Sequence, residues 1–189
     1  MDRKSCKFNS RGLTLIELMI TLVILSATLT MAAPAMQQLL HSSQLRTETS
    51  RLLDAVNLAR SEAVFRNTPV SLCPSVMATS GEAVCAGNFA NGWIVFTNRN
   101  RDTVVDTGSD VLIGAYRSVP PGYSLTNLAG ERAVDGLITY LPDGSSRRNL
   151  SLLVCPPHSA DLEPWAVVLN TVGRARAAQG AGSCPAGRP

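Results

Sequence analysis

The sequence predicts an α+β fold, with one long N-terminal α-helix packed on an antiparallel β-sheet globular domain. Three observations predict it. Residues 13–36 form an apolar run in which Glu17 is the only charged residue. Residues 37–66 continue with apolar side chains at three- and four-residue steps, the period of a helix. From residue 67 onward, short β-rich runs recur at roughly ten-residue spacing, divided by proline and glycine turns.

The chain opens on a short basic segment, MDRKSCKFNSRG, with Arg3, Lys4, Lys7 and Arg11 against Asp2. That surplus equals the formal net charge of +3 of the whole chain of 189 residues, so the remainder is neutral. Both lysines lie in this segment, and every later basic residue is arginine. A neutral remainder exerts no bulk pull on nucleic acid. Binding there needs a local arginine cluster, since the planar guanidinium fork suits phosphate and carboxylate.

The run LTLIELMITLVILSATLTMAAPAM follows at once. It is long enough to span a bilayer, which takes about 20 residues. A secretory signal carries a shorter apolar core with small residues after it, whereas here Gly12 comes before it. The positive-inside rule keeps residues 1–12 cytoplasmic and sends the rest of the chain across the inner membrane. Glu17 is the informative residue. A carboxylate inside an apolar helix costs about 2.5–3.5 kcal/mol on insertion scales, so it implies a partner. Pro34 lacks an N–H and crowds the preceding turn, so it bends or locally melts the helix. Residues 37–66 form the amphipathic half. Leu39, Leu40, Leu45, Leu52, Leu53, Val56, Ala59 and Ala63 make its apolar stripe, and Arg46, Glu48, Arg51, Asp54, Arg60 and Glu62 fill much of the remainder.

Asn67-Thr68-Pro69 ends the helix, and residues 67–189 form the β-rich domain. Strands are expected at 69–73, 93–97, 111–116, 123–128, 137–141 and 151–155, with 166–171 the last clear one. Turns at Pro120-Pro121-Gly122 and Pro142-Asp143-Gly144 separate them. Cys73, Cys85, Cys155 and Cys184 lie in this domain, an even number across the membrane, which favours two disulfides. Four cysteines allow three pairings and the sequence does not decide among them. Local closure favours 73–85 and 155–184.

No metal or cofactor is expected. Cys73 and Cys85 are not in a short C-x-x-C knuckle, and only His41 and His158 could join them on zinc. Asn98, Asn100, Asp102 and Asp106 offer oxygens, but Arg99 and Arg101 interrupt them and no bidentate glutamate follows, so the segment reads as a polar hairpin loop rather than a calcium site. His158 has no G-x-S-x-G or comparable motif beside it. No nucleophile, base and orienter emerge together, so an enzyme is not expected. Trp93 and Trp165, at strand starts, read as core. The sharpest ligand candidate is Gly173-Arg174-Ala175-Arg176. In an extended segment its two arginines share a face and point together at a phosphate backbone. Arg147 and Arg148 add charge, and with Arg188 they outweigh Asp161 and Glu163 from Ser145 onward.

The run R-G-L-T-L-I-E-L resembles the prepilin processing motif of type IV pilins and type II secretion pseudopilins. The resemblance implies that prepilin peptidase cuts after Gly12 and methylates Leu13, where phenylalanine is usual. Glu17 becomes the fifth mature residue, paired with the N-terminal amine of a neighbouring subunit, and Pro34 the twenty-second. The runs ARSEAVFRNTPVSLCPS, GWIVFTNRN, ITYLPDGSS and VLNTVGRARAAQGAGSC look like the GspH/FimT group of minor pilins, including FimU-like proteins. This implies a type IV pilin-like fold and a minor pilin that primes or caps a type IV pilus near its tip. Its partners are major and minor pilins. Its location is the inner membrane of a Gram-negative bacterium with a periplasmic domain, then the extracellular pilus. The G-R-x-R element also resembles the DNA-contacting element of FimT-type pilins, which implies double-stranded DNA as a partner in natural transformation. A type II secretion pseudopilin is the remaining alternative.

Overall fold

The structure is a computed structural model and describes residues 14–146 and 148–185. Gly12, Leu13, Arg147 and Arg188 lie outside the described residues. The chain divides into two compact units, Met1–Leu39 and Leu40–Pro189. One helix, α1 (Leu15–Arg66), runs through the boundary. Thr14 caps it, its Oγ1 accepting from Glu17 N at 3.3 Å and its carbonyl from Leu18 N at 3.1 Å. Thr14-x-x-Glu17 has the spacing of a capping box. Glu17 therefore sits in the first turn, where a carboxylate also suits the helix dipole.

In the first unit the described side chains are exposed, including Leu15, Ile16, Met19, Val23 and Leu29. Such a helix is apolar on all sides. The hydroxyls of Thr21, Ser26, Thr28 and Thr30 each donate to the carbonyl three residues back. They therefore present no unsatisfied donor to an apolar environment. Pro34 lies inside α1, which continues through it without a break.

The second unit holds every buried residue among those described. Eight strands follow α1: β1 (Val70–Pro74), β2 (Gly92–Thr97), β3 (Leu112–Arg117), β4 (Ser124–Thr126), β5 (Ile138–Tyr140), β6 (Leu150–Cys155), β7 (Trp165–Leu169) and β8 (Ala175–Gln179). A short helix, α2 (Met77–Ser80), and a single 3-10 turn (Phe89–Asn91) lie between β1 and β2. The strands form two antiparallel four-stranded sheets, in the orders β3-β2-β1-β5 and β4-β6-β7-β8.

Side-chain alternation explains the packing. Val70 and Leu72 of β1, Trp93 and Val95 of β2, Leu152 and Val154 of β6, and Val167 and Leu169 of β7 join Leu45, Leu52, Val56, Ala59 and Ala63 of α1 in one core. The intervening residues face outward into two smaller clusters. Cys73, Ile94 and Phe96 form one, and Leu153, Cys155 and Ala166 the other. Strands buried on both faces thus read as continuous apolar runs such as GWIVFT. Leu39 and Leu40 continue the stripe by spacing but are 62% and 58% exposed, because the core begins at Leu45.

Candidate functional site

The glycine of Gly173-Arg174-Ala175-Arg176 is set by turn chemistry. Gly173 N donates to Asn170 O at 2.9 Å, and Asn170 N to Arg174 O at 3.1 Å. Gly173 has φ +82. This is a three-residue hairpin loop that closes through a left-handed residue, where glycine is free of steric cost. Asn170 Oδ1 accepts from Arg174 N at 2.8 Å and locks the loop. The loop Pro142-Asp143-Gly144 after β5 repeats the plan, with Gly144 N donating to Leu141 O and Leu141 N to Ser145 O.

The two turns meet. A Cβ on Gly173 would lie 2.0 Å from Gly144 O, so no side chain fits there. Gly144 O also accepts from Arg60 Nε of α1 at 3.0 Å. Tyr140 OH donates to Gly173 O at 3.2 Å. The arginine hairpin is thereby fixed to the helix and to β5, and its glycine has a full structural account without a ligand.

The arginines themselves are different. Arg174 and Arg176 are both exposed, while Ala175 between them packs on the core. Among the described residues neither guanidinium makes an ion pair or hydrogen bond. Arg176 stands opposite Val168, and Val168 opposite Ser151, which places the arginines on the outer face of the second sheet. Beside them Ser151, Val168, Asn127, Asn149 and Asn170 line an open groove of about 500 Å³. Arg148 is committed elsewhere: its Nη1 donates to Leu137 O at 2.9 Å, in a cleft with Thr103, Asp135 and Gly136.

The helix arginines do not share that freedom. Arg46 lies over the ring of Trp165, 5.7 Å from its centroid, and Arg51 over Trp93 at 4.8 Å. Trp93 is fully buried and stacks on Tyr116 with centroids 5.5 Å apart. Arg51 Nη2 also pairs with Glu48 Oε2 at 2.7 Å and donates to Arg117 O at 2.9 Å. Glu48 is 5% exposed. Its place in the buried stripe was readable from its spacing, three residues after Leu45 and four before Leu52.

Cys73 bonds Cys85 and Cys155 bonds Cys184. In the 98–110 loop, Asn100 Nδ2 donates to Asp102 Oδ2 and Asp106 Oδ2, and Asp110 Oδ2 accepts from Asp106 N. These carboxylate oxygens thus accept from N–H groups of the same loop. Among the described residues no cluster of His, Cys, Asp and Glu is placed to hold a metal.

A capped apolar helix, exposed on all sides and continued into the core of a two-sheet domain, defines a pilin-like subunit. A family model described as type II transport protein GspH matches residues 48–173, and a prokaryotic N-terminal methylation motif matches residues 7–33. The chain belongs to the GspH family of minor pilins and pseudopilins. The minor pseudopilin EpsH of the Vibrio cholerae type 2 secretion system shares its fold, with TM-score 0.50, 14% identity, 72% of this chain and 97% of EpsH covered. The type IV minor pilin FimU of Pseudomonas aeruginosa aligns with TM-score 0.49, 13% identity, 71% of this chain and 88% of FimU covered. No curated protein matches the sequence. The family match ends at Gly173, one residue before the arginine pair.

Proposed function

We propose that the protein is a minor pilin of a type IV pilus that primes or caps assembly near the tip. Its leader, residues 1–12, stays in the cytoplasm until prepilin peptidase cuts after Gly12 and methylates Leu13. The domain faces the periplasm, and the subunit then moves into the extracellular filament. The observation that carries this is the exposed apolar helix of the first unit, with Glu17 its only charge between Leu15 and Leu39. Such a surface needs a membrane or a bundle of like helices around it. Glu17 then meets the N-terminal amine of a neighbour in the bundle. Replacing Glu17 with Ala should leave membrane insertion intact and remove the subunit from sheared filaments. Normal incorporation of that variant would refute the role. Deleting the gene separates this reading from a secretion pseudopilin: piliation falls in the first case, and protein secretion in the second.

A second reading, DNA binding in natural transformation, is favoured by the exposed, unpaired guanidinium groups of Arg174 and Arg176 on one face. Residues 40–189 carry their own core, so they can be titrated with duplex DNA across a salt series. Binding should weaken as salt rises, and Arg174→Ala/Arg176→Ala should reduce both affinity and salt slope. Binding by that variant equal to the parent would exclude the pair.

A further inference from the structure

We propose that the open edge of β8 takes up an extended strand of a partner subunit, one that carries acidic side chains toward Arg174 and Arg176. This rests on the reading of the chain as a filament subunit, but its test does not require assembly. The argument starts from the ladder. Gly180 N donates to Pro164 O and Asn170 N to Arg174 O. Antiparallel pairs alternate between bonded and non-bonded, so Arg176 and Ala178 turn their backbone groups toward β7. Ala175, Ala177 and Gln179 turn theirs away. Among the described residues, order in the sheet leaves β8 with no strand on that side, and no hydrogen bond takes up those outward groups.

An open edge is a template for pairing unless it is blunted. Strand β8 is neither short nor bulged, and it holds no proline or lysine. Small alanine side chains leave its edge accessible. It is also held at both ends. The Gly173 hairpin fixes one end, and Gly180 N to Pro164 O with the Cys155–Cys184 bond fixes the other. A preordered edge gives up little entropy on pairing.

Charge selects the occupant. Arg174 and Arg176 lie at the hairpin end, and Glu163, against Gly180, lies at the other. Two β8 edges paired antiparallel about Ala177 would set Arg176 of each copy opposite Ala178 of the other, so a second copy of this chain offers Arg176 no carboxylate across the pair. A strand with glutamate or aspartate facing the arginine pair meets unpaired cations instead.

The test uses the full chain in detergent micelles with two labelled peptides, one alternating valine and glutamate, the other valine and lysine. The glutamate peptide should bind, and amide exchange at Ala175, Ala177 and Gln179 should slow. Ala177→Pro removes an outward N–H and no β7–β8 bond, so the unfolding midpoint should hold while binding weakens about tenfold. Arg176→Glu, an exposed change, should shift preference toward the lysine peptide. Equal binding of both peptides by the parent, or unchanged binding by Ala177→Pro, would overturn the proposal. So would free exchange of the three amides while duplex DNA occupies the arginines. Because these readouts are made on the isolated chain, they fail or succeed independently of Glu17→Ala in filaments.

Discussion

Tyr140 shows how one side chain serves two elements. It is fully buried in β5, and its hydroxyl reaches across to Gly173 O at the start of the arginine pair. Burial pushes its phenol up from 10.0 to about 12, against a smaller opposing pull from Arg60. Below about pH 10 the phenol is neutral in both folded and unfolded chains. From there to about pH 12 the unfolded chain ionises first, so stability that is present at neutral pH is lost as pH rises. Tyr140→Phe should cost about 1 kcal/mol at pH 8, for the lost hydrogen bond. It should also flatten the decline above pH 10, leaving the smaller contributions of Tyr116 and Tyr123, whose phenols burial also raises. Urea unfolding of residues 40–189 at pH 8 and at steps to pH 11.5 measures both effects. An unchanged slope would place the alkaline loss elsewhere. None of this was legible in the sequence, where Tyr140 is simply an apolar member of ITYLPDG. The contact that decides its role comes from a turn 33 residues away.

At the scale of elements, legibility followed pattern strength. The helix and seven strands have clear periodicity or β-branched runs and stand where the sequence puts them, within a residue or two at most ends. Strand β8, ARAAQ, does not. Its alanines and glutamine favour a helix in isolation, and pairing with β7 overrides that preference. By spacing Glu48 falls on the apolar stripe, but nothing in the pattern joins it to Arg51, which reads only as one of the charged residues filling the remainder of α1. The two form one linkage at the edge of the core, in which Gln44 Nε2 donates to Glu48 Oε1 at 3.1 Å and Arg51 covers Trp93. Removing one partner leaves a charge in a poor environment. Arg51→Ala should therefore destabilise residues 40–189 by about 3 kcal/mol, whereas Glu48→Gln/Arg51→Met should recover much of that loss. Denaturant midpoints of the two variants decide it. If the double variant is as weak as Arg51→Ala, the loss comes from the aromatic contact with Trp93 rather than the stranded carboxylate.

The globular unit has one shared core and two outer sheet faces, over which, among the described residues, no second layer of strands lies. Each outer face is covered by a short segment of chain, and each cover is held by a disulfide. Cys73 of β1 bonds Cys85, and the 75–87 segment packs Met77 and Ala83 over Ile94 and Phe96. Cys155 of β6 bonds Cys184, and the segment after β8 packs Ala181 over Leu153 and Ala166. The close approach of this second strap shows at Gly182, where a Cβ would lie 2.5 Å from Leu128 O. Covers this small bury too little apolar area to hold themselves down. The bonds therefore act where packing is thinnest. Closing the longer loop, of separation 29, is worth about 3–4 kcal/mol in the chain-entropy account. Its loss should have a local signature as well. In Cys155→Ser/Cys184→Ser, amides of Gly182, Ser183 and β8 should exchange faster by a larger factor than those of β1 and β2. In Cys73→Ser/Cys85→Ser the order should reverse, with the 75–87 segment released and β8 retained. Since β8 carries Arg176 and the open edge, peptide binding there should weaken in the first variant and persist in the second. Equal acceleration across both sheets in either variant would mean that the disulfides stabilise the unit globally and do not clamp separate covers.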